Sequence, residues 1–158
     1  MVAEDGRELY GQSCEWDANK ASDWVVHNVL SHLSSCPNGN RRHHEFYHGH
    51  CLGHEPCPWY KREQLARKVK EFCDPEKYGK PELWGYYSAY DHVAFCQLFG
   101  TMMHLPKGYP MYTRDLKQWC DALGNPKLPE QGKDEHNALA DARWNKRAWE
   151  FLANYPAQ

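Results

Sequence analysis

A short apolar run, Leu83-Trp84-Gly85-Tyr86-Tyr87, is followed almost at once by Asp91-His92-Val93-Ala94-Phe95-Cys96-Gln97-Leu98-Phe99 and then Gly100. The first segment reads as a buried strand and the second as a short helix closed by glycine. A strand running straight into a helix needs a layer of sheet with helices against it, which is an α/β architecture. The junction carries a lone acid, Asp91. Sheets of this kind place ligand-binding acids where a strand ends and a helix begins.

The rest of the chain alternates in the same way. Val2 to Gly11 reads as a hairpin about the turn Asp5-Gly6. Ala21 to Leu33 has helical spacing in Trp24, Val25, Val29, Leu30 and Leu33, and Trp59 to Phe72 has it in Leu65, Val69 and Phe72. Asp74-Pro75 ends that helix. Thr113 is the expected cap of a helix running to Leu123 and Gly124, and a last helix is expected from His136 to Tyr155. Residues 34–58 break the pattern with turn residues and a dense His/Cys tract. They hold too few apolar residues for a core of their own, so they read as a loop insertion in a single domain of 158 residues.

Charge and composition narrow the function. A net charge of −2 excludes the overall basic bias of a chain that coats nucleic acid, so any such contact is local. Arg41, Arg42, Lys61, Arg62, Arg67, Lys68 and Lys70 form one local basic region that suits an RNA backbone. Trp84, Tyr86, Tyr87, Phe95 and Phe99 are expected in the core rather than as stacking platforms. No apolar run approaches the ~20 residues that cross a bilayer. The acidic start, without the apolar region of a signal peptide, leads to the expectation of a cytoplasmic protein with no membrane partner. Its 7 cysteines then read as free thiols or metal ligands.

The richest chemical clue lies near the end, in His136-Asn137-Ala138-Leu139-Ala140-Asp141-Ala142-Arg143. A histidine on the loop or first turn, with an acid reaching in from the helix, suits a general base beside a metal-binding carboxylate. With Asp91 this points to metal-assisted hydrolysis.

These segments resemble a known family. His136 to Ala142 is similar to the third motif, H-x-A-x-x-D-A, of the DEDDh 3′–5′ exonucleases. Trp84 to Gly100 is similar to the second motif as found in RNase AS-type exoribonucleases. Pro110 to Leu116 resembles the segment between them, and Val2 to Tyr10 the second and third strands. The resemblance implies an RNase H-like mixed sheet with flanking helices. It also implies hydrolysis of single-stranded RNA from its 3′ end to nucleoside 5′-monophosphates. Four carboxylates would hold two Mg²⁺ or Mn²⁺ ions, with Asp91 and Asp141 as two of them and His136 as the general base. It permits a homodimer.

The family's first motif, D-x-E on the first strand, belongs before the Val2–Tyr10 hairpin, so that strand is missing from the chain as given. The favoured expectation is a start placed too late, with Met1 standing where the family has valine. The rival is a truncated, catalytically inactive exonuclease-like module that binds nucleic acid or a protein partner. The His/Cys tract supplies the second departure from the family. Cys51-x2-His54-x2-Cys57, with Cys36, has the ligand types of a four-coordinate structural Zn²⁺ site; the other reading is a solvated polar loop. A zinc hydrolase built on this tract ranks last, because it lacks a carboxylate base at recognisable spacing.

Overall fold

A computed structural model describes residues 1–15, 20–33, 58–132 and 136–156. The Cys36, Cys51, His54 and Cys57 set, with most of the proposed loop insertion, lies outside the described residues. The elements in chain order are β1 (Gln12–Ser13), α1 (Asp23–Asn28), β2 (Trp59–Tyr60), α2 (Arg62–Phe72), α3 (Pro75–Tyr78), β3 (Trp84–Gly85), α4 (Ala89–Phe99), β4 (Arg114–Asp115), α5 (Leu116–Ala122) and α6 (Ala138–Ala153). Single 3₁₀ turns at Leu30–His32 and Met102–His104 follow α1 and α4.

The expected α/β character is present. Among the described residues the strands form two separate parallel pairs, β1 with β2 and β3 with β4, each joined through at least one helix. In the second pair Trp84 lies opposite Arg114 and Gly85 opposite Asp115. The expected hairpin is an antiparallel bridge between Val2 and Glu8, turned at Gly6 with a φ of 89°. It is fastened to the body by its side chains. Arg7 donates to Phe72 O (2.8 Å) and lies over the Tyr78 ring, and Arg143 of α6 grips Glu8 through two bonds of 2.7 Å.

Several boundaries move for local reasons. Trp59–Tyr60 pairs with β1, so α2 begins at Arg62 and not at Trp59. Asp115, not Thr113, caps α5, because its carboxylate accepts from Lys117 N and Gln118 N. The last helix starts after Asn137, whose side chain accepts from Leu139 N and Ala140 N. His136 stays outside it, with a φ of 72°.

Apolar side chains gather in two clusters. One joins α5 to α6 through Leu116, Cys120, Trp144, Ala148 and Leu152, with Trp84, Tyr86 and Trp149 packed on it. Trp144, Ala148 and Leu152 recur every four residues, so one stripe of α6 faces inward. The other centres on Val69, Cys73 and Tyr109, with Phe95, Leu98 and Phe99 of α4 against it. The β3–α4 junction therefore lies where helices of both clusters begin. Tyr87 departs from the expected core set: it is 65% exposed, since its φ of 54° turns the chain out before α4. Among the described residues no helix is long and apolar enough to cross a membrane.

Candidate active site

The site is built where β3 ends. Gly85 is buried, and a Cβ there would stand 2.9 Å from Ser88 Cβ and 3.8 Å from Asp91 Oδ2. Only glycine lets the start of α4 pack this closely on the strand. Asp91 then falls in the first turn of α4. Asp141 falls in the first turn of α6, and its Oδ1 accepts from Gln131 Nε2 at 2.6 Å. Both positions favour a carboxylate, since the amino end of a helix is its positive end.

The two acids expected to act together are near enough for their charges to be felt. Burial raises the Asp91 pKa, and the negative charges of Asp141 and then Asp115 raise it further. Two carboxylates that repel in this way form a natural seat for a cation.

The third acid of the group has a different task. Burial works to raise Asp115, but backbone N–H donors from Ser88, Lys117, Gln118 and Tyr87 outweigh it and hold its carboxyl low. Its oxygens are spent on those donors. No sequence signal singles out Asp115 as the cap, because Thr113 and Asp115 are both good capping residues.

His136 sits at the mouth of α6, exposed, in the left-handed conformation that histidine tolerates better than most residues. Its ring meets the Trp24 ring edge-on, with centroids 5.3 Å apart. Sequence spacing counts Trp24 among the apolar residues of α1, yet it is 57% exposed. It is the contact that sequence reasoning missed. Along α4, His92 Nδ1 lies 3.0 Å from Thr113 Oγ1, and Cys96 Sγ lies 3.4 Å from His92 Nε2. Cys96 is buried and packs as a small apolar side chain.

The chemistry of the donor set fits Mg²⁺ or Mn²⁺. Asp91 and Asp141 offer hard oxygen ligands, and a cation bound by both would ease the repulsion that adds to burial in raising Asp91. Among the described residues no group of three or more His, Cys, Asp or Glu side chains is placed to hold a metal ion, and Asp91 and Asp141 are the two carboxylates that the motifs single out.

Comparisons with known proteins identify the family. The family model described as 3′-5′ exoribonuclease Rv2179c-like domain matches residues 44–153 and so takes in Asp91, His136 and Asp141. It also takes in the later part of the His/Cys tract. Two curated relatives are the 3′-5′ exoribonuclease Rv2179c of Mycobacterium tuberculosis strain ATCC 25618 / H37Rv and the 3′-5′ exoribonuclease MT2234.1 of strain CDC 1551 / Oshkosh. Each is 36% identical over 154 residues, covering 98% of this chain and 81% of the relative. A match that runs through β2, both site helices and the segment between them leaves one assignment: the chain belongs to the 3′-5′ exoribonuclease Rv2179c-like family.

Proposed function

We propose that the protein is a 3′–5′ exoribonuclease of the DEDDh class on an RNase H-like scaffold, hydrolysing single-stranded RNA to nucleoside 5′-monophosphates. The carrying observation is the coupling of Asp91 to Asp141 at the starts of two helices, five residues beyond His136 in the second case. The names of the relatives support the reaction class. The motifs around Asp91 and His136–Asp141 support the class of exonuclease.

Asp91 and Asp141 would hold divalent ions through their carboxylate oxygens. When bound there, such ions would supply an activated water and offset charge on the phosphate to be cleaved. Gln131 keeps Asp141 Oδ1 in a fixed direction. Asp91 must be ionised to bind a cation, and its raised pKa makes that a matter of both pH and metal. His136 would accept the proton of the attacking water. Its exposed position leaves it open to solvent and substrate, and the Trp24 contact limits its swing.

The test uses the protein as its gene encodes it, with Mn²⁺ and 5′-labelled single-stranded RNA. Asp91→Ala and Asp141→Ala are each expected to remove activity. His136→Ala is expected to slow it by roughly 10²–10⁴-fold, the usual worth of a general base. An Asp141→Ala protein with full activity overturns the assignment. A structural zinc at Cys36, Cys51, His54 and Cys57 is proposed on ligand type and spacing. A zinc-free metal analysis of the purified protein removes it. A homodimer and a cytoplasmic location are proposed from the family resemblance and the composition.

A further inference from the structure

Asp115 joins two helices through one carboxylate. Its Oδ1 accepts from Lys117 N (2.8 Å) and Gln118 N (3.4 Å), which caps α5. Its Oδ2 accepts from Ser88 N (2.8 Å) and Ser88 Oγ (3.3 Å). Ser88 is 3% exposed and stands immediately before α4, three residues ahead of Asp91. The helix that Asp115 caps packs in the α5–α6 cluster, which includes the helix carrying Asp141. The helix that it holds through Ser88 packs in the other cluster. The bond therefore crosses from one hydrophobic cluster to the other beside the carboxylate pair.

Resting on the functional reading above, we infer that Asp115 is a positioning residue: through Ser88 it sets where the first turn of α4 presents Asp91 to Asp141, and thereby the affinity of the pair for a divalent cation. Aspartate suits this task for a stated reason. An ionised carboxylate accepts hydrogen bonds on both oxygens, whereas an asparagine side chain has one acceptor oxygen and one donor group. An asparagine in its place would satisfy either the α5 cap or Ser88, and would point an N–H at the other. A serine would cap α5 about as well as aspartate. It is too short to hold Ser88 as well.

The experiment measures Mn²⁺ binding directly, by loss of the electron paramagnetic resonance signal of free Mn²⁺. The proteins are the wild type, Asp115→Ser, Asp115→Asn and Asp91→Asn, at about 0.05 M and about 0.5 M KCl to separate screened charge from position. Asp115→Ser is expected to keep its helix content and a thermal midpoint close to wild type, and to bind Mn²⁺ roughly tenfold more weakly at both salt concentrations, as changes behind metal ligands do. Asp115→Asn is expected to weaken binding similarly with a larger loss of stability. Half-maximal Mn²⁺ for RNA hydrolysis should rise by the same factor, with much of kcat recovered at saturating metal. Wild-type Mn²⁺ affinity in both Asp115 variants, or a weakening that disappears at high salt, overturns the inference. Should Asp115→Ser fail to fold, Asp115→Asn and Ser88→Ala carry the same comparison, and unchanged affinity in both overturns it. If Asp91→Asn also binds Mn²⁺ as the wild type does, the carboxylate site itself is refuted, and the inference falls with it. Weak binding by Asp91→Asn alone refutes only the role of Asp115.

Discussion

At the scale of single residues, the closest constraint on the site is an absent side chain. Gly85 is buried against the turn that launches α4, and a Cβ placed there meets backbone and side chain of the same residue, at 3.7 Å from Ser88 Cα and 2.9 Å from Ser88 Cβ. The second distance is too short for carbon on carbon, and Ser88 has no freedom to retreat because Asp115 holds its N–H. Gly85→Ala is therefore expected to destabilise the protein by about 1–3 kcal/mol, the usual cost of overpacking a tight interior. It should also move Asp91, whose Oδ2 would be 3.8 Å from the new methyl. Urea unfolding followed by tryptophan fluorescence measures the first effect, and Mn²⁺ affinity the second. A Gly85→Ala protein with the wild-type midpoint would show that the junction is looser than this packing requires.

At the scale of elements, caps decide where the site acids sit. Asn137 closes the amino end of α6 by accepting from Leu139 N and Ala140 N, both at 3.1 Å, and separates the left-handed His136 from the helix that carries Asp141. Asn137→Ala is expected to cost about 1 kcal/mol. For a chain of this size that is a fall of about 2–4 °C in Tm, and Asn137→Asp should restore it. Equal thermal midpoints for Asn137→Ala and wild type would count against the cap as the anchor of α6. Much of this element pattern is legible in the sequence. The Asp5-Gly6 turn, the 3.6-residue stripes of α2 and α6 and the terminal Gly100 all announce themselves locally. Strand length does not. Leu83 to Tyr87 reads as one strand, yet only Trp84–Gly85 pairs, because Tyr87 turns left-handed with a φ of 54°. The α5 cap falls two residues beyond the expected Thr113, since Thr113 and Asp115 are equally apt as caps until tertiary contact with Ser88 chooses between them. The site acids are legible as motifs. Their mutual charge coupling is not, because it depends on how α4 and α6 lie in space and not on any spacing within either.

At the scale of the whole molecule, the two acids belong to helices packed in different apolar clusters, so the integrity of the site depends on both. The cluster under α4 contains groups that make it sensitive to alkali. Burial pushes the Cys73 thiol up to about 11 from an ordinary value of 9.0, against the opposing pull of Arg7 and the Met1 amine. Burial likewise raises Tyr109, whose hydroxyl donates to Val69 O at 3.3 Å. In both cases the folded state prefers the neutral, protonated group. A raised pKa means that unfolding releases the proton more easily, so the stability contribution is complete below the unfolded value and is lost as pH climbs toward the folded one. For Cys73 the window runs from about pH 9 to about pH 11, and the loss across it is on the order of 2–3 kcal/mol. Cys73→Ala should be somewhat less stable than wild type at pH 8, through the small void it leaves. Its stability should then fall less steeply between pH 9 and pH 11, with Tyr109 contributing to the slope that remains. Urea unfolding of both proteins at pH 8, 9.5 and 10.5 makes the comparison. Parallel curves would mean that the Cys73 thiol ionises as readily in the folded chain as in the unfolded one, and that this cluster is open to water. Converging curves would mean that the cluster on which α4 rests is dry, so that the helix carrying Asp91 is seated by packing on one side and by the Asp115–Ser88 bond at its start.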